Sequence, residues 1–183
     1  MCEYVIFEAQ RSNGKYNKYI KDWYPEAKGV VMSRIDYYIS IDQKIDAAQQ
    51  IQATINSLHI DRALTANTFF WIDVQNGQHW GSNTAANVQF IEDMVNAGNT
   101  AMAGLFSGAG ANFGIQTSKS MWKRITGDNR DAFFGGLRLW YVDWTGNGDM
   151  SDFKRFGPWY QPSLKQYQGN VGMCFTHVNY DSY

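Results

Sequence analysis

A chain of 183 residues with 16 basic and 17 acidic side chains carries a net charge of −1, so it lacks the electrostatic basis for gripping a nucleic-acid backbone or an anionic membrane surface. Its length suits a single domain over residues 1–183 with a sizeable core, and no apolar stretch approaches the roughly 20 residues of a membrane-spanning helix. Aromatic side chains make up 16% of it and charged ones 18%. That balance suits stacking on, and hydrogen-bonding to, a neutral polar ligand such as a sugar, although the same rings would also fill a barrel core.

Met1-Cys2-Glu3 leads straight into Tyr4-Val5-Ile6-Phe7 without the basic, apolar and small-residue regions of a signal peptide. The expectation is an intracellular protein or a start inside a longer gene, with the aromatic, Asn-rich surface favouring a secreted ancestry. Cys2 and Cys174 either form one disulfide between the ends of the chain or remain two unrelated thiols. Neither has metal-ligand spacing, and no metal or other cofactor is expected.

Residues 3–9 read as a strand, Arg11-Ser12-Asn13-Gly14 as a loop, and residues 15–28 as a helix interrupted or begun at Pro25. Residues 30–41 are the second strand. Residues 42–58 form an amphipathic helix with Ile45, Ala48, Ile51 and Ile55 at helical spacing and Asp42 as N-cap. Phe69-Phe70-Trp71-Ile72-Asp73-Val74-Gln75-Asn76-Gly77 then reads as a buried strand emerging at its glycine, so Asp73 and Gln75 share a face at a strand end, where parallel-sheet enzymes place their chemistry.

A further helix opens at Asn83-Thr84-Ala85-Ala86-Asn87, buries Val88, Ile91, Met94 and Val95, and ends at Ala97-Gly98. Residues 101–107 are small, apolar and strand-like. Residues 118–125 form a short capped helix closed by Gly127, and residues 137–142 a strand. Residues 163–168 and 172–178 are two closing strands with no helix between them. The expected fold is α/β, a modified TIM-like β/α barrel with βα units first and plain β strands at the C-terminal end.

Phe70-Trp71-Ile72-Asp73-Val74, Asn87-Val88-Gln89-Phe90-Ile91, Ser118-Lys119-Ser120-Met121-Trp122, Leu139-Trp140-Tyr141, Ser151-Asp152-Phe153 with Phe156-Gly157, and Lys165-Gln166-Tyr167-Gln168-Gly169 occur in the order and spacing of glycoside hydrolase family 25. From about Glu3 to Tyr183 the chain resembles these Chalaropsis-type lysozymes, nearest to protist and invertebrate members. The resemblance implies a barrel that binds peptidoglycan and cleaves after N-acetylmuramic acid. The family's catalytic strand reads Asp-x-Glu, with the Glu as proton donor; here the positions are Asp73 and Gln75, and an amide has no proton to give a leaving oxygen. The family's first strand, which carries an Asp, is missing. In the closing strand Val178-Asn179-Tyr180-Asp181, Asn179 stands where the family has another Asp.

These departures imply little or no lysozyme activity, unless Asp143 or Asp36 supplies a relocated acid; the alternative for each is a solvated or structurally paired carboxylate. His79 and His177 have no partner motif and are read as loop or core residues. Tyr38, Trp71, Trp80, Trp140, Tyr141, Asp143, Gln166 and Tyr167 are expected to line a cleft for peptidoglycan or another N-acetylated glycan. The leading reading is a catalytically impaired, glycan-binding lysozyme-like protein. The alternatives are a scaffold or assembly protein and an active muramidase with a rearranged acid. A missing strand leaves open sheet edges, so a homo-oligomer or partner chain at that edge is a further expectation.

Overall fold

The computed structural model describes residues 4–30, 34–75, 79–109, 112–173 and 176–183, and the side chains of Met173, Thr176 and His177 lie outside the description. Within it, seven strands form one mixed sheet in sequence order, curled into a half-barrel. They are β1 (Tyr4–Gln10), β2 (Arg34–Ser40), β3 (Phe70–Asp73), β4 (Phe113–Thr117), β5 (Arg138–Val142), β6 (Leu164–Met173) and β7 (Thr176–Ser182). The first six run parallel, and β7 returns antiparallel to β6. β1 and β7 are the edges of the described sheet, and the rings of Tyr4 and Tyr183 approach across the gap to 6.5 Å. The expected barrel is therefore present, with βα units first and a β hairpin last.

The helices cover the convex face: α1 (Ile20–Lys28), α2 (Ala47–Ile60), α3 (Thr84–Leu105), α4 (Lys119–Thr126) and the short α5 (Ala132–Gly135). Ile51, Ile55 and Leu58 of α2 and Ile91, Met94 and Val95 of α3 pack with Tyr37, Ile39, Phe70, Ile72, Ile115 and Leu139 of the sheet. The concave face has its own apolar layer, Phe69, Trp71, Trp140 and Leu164, with Tyr4, Ile6 and Tyr38 against it. Strand alternation divides the two sets, since successive side chains point to opposite faces.

Four local expectations are corrected. Pro25 neither breaks nor begins α1 but sits inside it, and the carbonyl its missing N–H would have bonded belongs to Lys21, an exposed residue that water can reach. The N-cap of α2 is Asp46, whose carboxylate accepts from Gln49 N at 2.9 Å; Asp42 instead takes Lys44 N at 3.0 Å in a local turn. Gly98 does not end α3. A Cβ there would lie 2.2 Å from the Phe113 ring, so the glycine lets helix and strand approach, and residues 101–105 continue the helix instead of forming a strand. The fourth strand is accordingly Phe113–Thr117. The closing pair is a longer hairpin than expected, with residues 172 and 173 still in β6. Cys2, Cys174 and Asn76-Gly77 lie outside the described residues.

Candidate functional site

Parallel register brings three polar residues into a row across the C-terminal ends of β1 to β3. Ser40 is the partner of Asp73, Asp73 that of Gln116, and Glu8 that of Tyr38. Ser40 Oγ donates to Glu8 Oε1 at 3.0 Å. Asp73 Oδ1 is buried and has no hydrogen-bond partner among the described residues. None of the ion pairs among those residues involves Glu8 or Asp73. Burial, and after it the Glu8 charge, pushes the Asp73 carboxyl up to about 7.

Across the cleft, Asp181 of β7 lies opposite Gln166 of β6, and its Oδ1 accepts from Trp140 Nε1 at 2.8 Å. Burial raises the Asp181 carboxyl to about 6 against the opposing pull of that hydrogen bond. Gln166 is 2% exposed, and its Oε1 accepts from Trp144 Nε1 at 2.9 Å. This fixes the amide so that Nε2, buried and without a partner among the described residues, is left to donate. Trp144 is 63% exposed. Its ring lies over Gly169, where a Cβ would come within 2.6 Å of it, so the indole is seated while one face stays open.

Of the eight residues expected to line the cleft, the structure brings together Tyr38, Trp71, Trp140 and Gln166. Tyr38 meets Trp140 edge-on at 6.3 Å, and Trp140 meets Trp71 at 5.8 Å. The other four are elsewhere. Trp80 is buried against Phe90 of α3. Tyr141, one residue from Trp140 and so on the opposite face, packs on Phe153 and Phe156, and Asp143 lies beside its hydroxyl. Tyr167 packs near Tyr180 and Gly148 on the face opposite Gln166. Asp36 is fully buried but satisfied by Tyr4 Oη, Arg34 Nε and Phe69 N, at the base of the barrel. His79 is half-buried in the loop after β3.

Of the two positions that the family resemblance marks out, Gln75 is half-buried just beyond β3, following Asp73 by two residues. Asn179 is exposed on the upper hairpin and accepts from Asn170 N at 3.0 Å. The hairpin's irregular register around Gln168 places Asp181, and not Asn179, opposite Gln166. Sequence reading missed Glu8, Ser40, Trp144 and the cleft position of Asp181. Alternation from Tyr4 and Ile6 puts Glu8 on their face, which was the available signal.

Two hollows lie at the other end of the strands. One of about 330 Å³ is lined by Arg34, Asn67, Phe69 and Arg138, and one of about 440 Å³ by Tyr4, Trp71, Leu164 and Tyr183. Of the buried polar atoms without a hydrogen-bond partner among the described residues, Trp71 Nε1 belongs to a residue lining the second hollow, and the raised carboxyl of Asp36 at the base has its hydrogen bonds made, whereas Asp73 Oδ1 and Gln166 Nε2 stand without partners at the top. We place the site there, because a buried polar group without a partner is costly unless a ligand supplies one.

The half-barrel matches the fold of the family 25 lysozymes. The muramidase from Trichobolus zukalii superposes with a TM-score of 0.68 at 15% identity, over 98% of this chain and 79% of that one. The modular autolysin LytC from Streptococcus pneumoniae, in complex with a synthetic peptidoglycan ligand, superposes at 0.69 and 17% identity, over 97% and 39%. At these identities the likeness is one of fold. The model of the lysozyme-like protein 1 family matches residues 3–167, and the chain belongs to that family. Among relatives from Dictyostelium discoideum, "probable GH family 25 lysozyme 5" is 28% identical over 173 residues, covering 93% of this chain and 74% of its own length. "Counting factor 50" is 28% identical over 186 residues, covering 98% and 57%.

Proposed function

We propose that the chain binds an N-acetylated glycan of the peptidoglycan type in the concave cleft, and that cleavage by the Asp-x-Glu route is impaired because position 75 is an amide. The observation that carries the binding reading is the Trp144–Gln166 pair. An exposed indole offers a stacking face, and the amide it holds presents beside it a buried N–H with no partner among the described residues. Acetamido and hydroxyl oxygens suit that donor, and a sugar ring suits the indole. The kinship with muramidases and the ligand of the autolysin complex support the same chemistry. Losing a general acid costs about 10²–10⁴-fold in rate.

Retention on insoluble peptidoglycan, competed away by soluble N-acetylated sugar, is the expected result. In a wall-clearing assay Gln75→Glu is expected to raise the rate at least about tenfold, with Gln75 assigned the missing-acid position. A native protein that ignores peptidoglycan altogether would remove this reading. The scaffold alternative then moves attention to α1, where Tyr19 and Trp23 stack at 5.6 Å while 44% and 40% exposed, a surface suited to a protein partner.

A further inference from the structure

We infer that Glu8 is a second acid–base group of the cleft and that, with Asp73 across Ser40, it forms a carboxyl pair able to cleave a bound glycosidic bond slowly without an acid at position 75. The inference rests on the glycan-binding reading above.

Three adjacent strands each contribute one member of the row. Glu8 comes from β1, Ser40 from β2 and Asp73 from β3, on the concave face at the end where Gln166, Trp140 and Asp181 close the opposite wall. The groups facing the pair are Tyr38 of β2, whose hydroxyl feels both carboxyl charges, Gln116 of β4, and Gln166 and Asp181 beyond. All are neutral or acidic. No Lys or Arg among the described residues is ion-paired to Glu8 or Asp73. Burial and then the Glu8 charge favour the protonated form of Asp73, whose Oδ1 has no donor among the described residues, so Asp73 is the member placed to give a proton. The Ser40 hydroxyl, donating to Glu8 Oε1, holds that half-buried carboxyl in place as the proton acceptor.

One carboxyl placed to give a proton and a second placed to take one is what glycoside hydrolysis requires. Asp73 gives its proton to the glycosidic oxygen as the bond from C1 breaks and its electron pair passes to that oxygen. Glu8 takes a proton from a water molecule whose oxygen bonds to C1. Turnover leaves Asp73 ionised and Glu8 protonated, and proton exchange with solvent water restores the pair. The sum is one glycan chain and one water giving two shorter chains.

The test measures release of reducing ends from purified peptidoglycan between pH 4 and 9, beside retention on the same material. The native chain is expected to release them slowly with a bell-shaped pH profile. Glu8→Gln is expected to lower release by about 100-fold while retention persists, and Glu8→Asp to recover part of it. Should Glu8→Gln fail to fold, Ser40→Ala keeps both carboxyls but takes away the hydroxyl that holds Glu8, and is expected to lower release by about tenfold while retention persists. A native chain that binds walls but releases nothing overturns the inference and leaves the binding proposal standing. So does Glu8→Gln or Ser40→Ala releasing at the native rate. A native chain that neither binds nor cleaves overturns both.

Discussion

Two carboxyls on the concave face of neighbouring strands, Asp36 on β2 and Asp73 on β3, have opposite surroundings. Asp36, at the base, receives Tyr4 Oη at 2.6 Å, Arg34 Nε at 2.8 Å and Phe69 N at 3.2 Å. Asp73, at the top, faces another carboxyl and keeps an oxygen with no donor among the described residues. The barrel interior is the same dry layer in both places. What differs is whether donors and a cation are within reach, and that separates a carboxylate that holds the fold together from one that is left to act on something else.

The largest effect is expected from breaking the satisfied end. Asp36→Ala removes the carboxylate that accepts from the Tyr4 hydroxyl, the Phe69 N–H and the guanidinium of Arg34, whose side chain is 34% exposed. After discounting for that exposure, the expected loss is about 2–4 kcal/mol, read as a lowered urea midpoint. A loss under about 1 kcal/mol would mean that the base layer is no more structural than the top.

Next comes the unsatisfied end, where the sign reverses. The Asp73 carboxyl, raised from 3.8 to about 7, holds its proton more tightly folded than unfolded. Its contribution to stability therefore declines as pH rises above about 4 and stops changing beyond about 7. Asp73→Asn removes that loss. The variant is expected to match the native chain at pH 4 and to exceed it by about 2 kcal/mol at pH 8, in paired denaturation curves. Asp181, raised to about 6, acts in the same direction over a narrower window. Equal stability of the two proteins at both pH values would show that Asp73 is not desolvated.

The smallest effect concerns the rim. Trp144 is exposed, so Trp144→Ala should leave thermal stability within about 0.5 kcal/mol. It frees the Gln166 amide and removes a stacking face, with an expected five- to tenfold weakening of retention on peptidoglycan, about 1 kcal/mol. Unchanged retention would locate the sugar elsewhere on the concave face.

Much of the family likeness was legible because it is written in packing residues on the convex side. Trp122 is fully buried between Phe134 and Trp159, Phe153 and Phe156 enclose Tyr141, and Asp152 holds the buried Lys165. Caps read from local chemistry also held: Asn83 opens α3, and Ser118 and Gly127 bound α4. Gly98 misled because a glycine at a helix end and one beneath a phenylalanine ring look alike in one dimension. Tyr141, Asp143 and Tyr167 were placed in the cleft for their chemistry, against their alternation with Trp140 and Gln166.

The sequence by itself determined what nearest-neighbour physics decides: strand and helix periods, caps, the βα order with a closing hairpin, and the amide at position 75. Only the tertiary structure decided which face of each strand became the cleft and which carboxyls meet there. Glu8 and Asp73 are far apart in the chain and come together through the register of β1 on β2 and β2 on β3. The irregularity after Glu8 then pairs Gln10 with Ile39 and turns its amide to Gln50 and Thr54 of α2, leaving Glu8 as the last polar side chain of β1 on the concave face. Register and bulges are set by packing across the whole sheet, so no local pattern in the chain contains them.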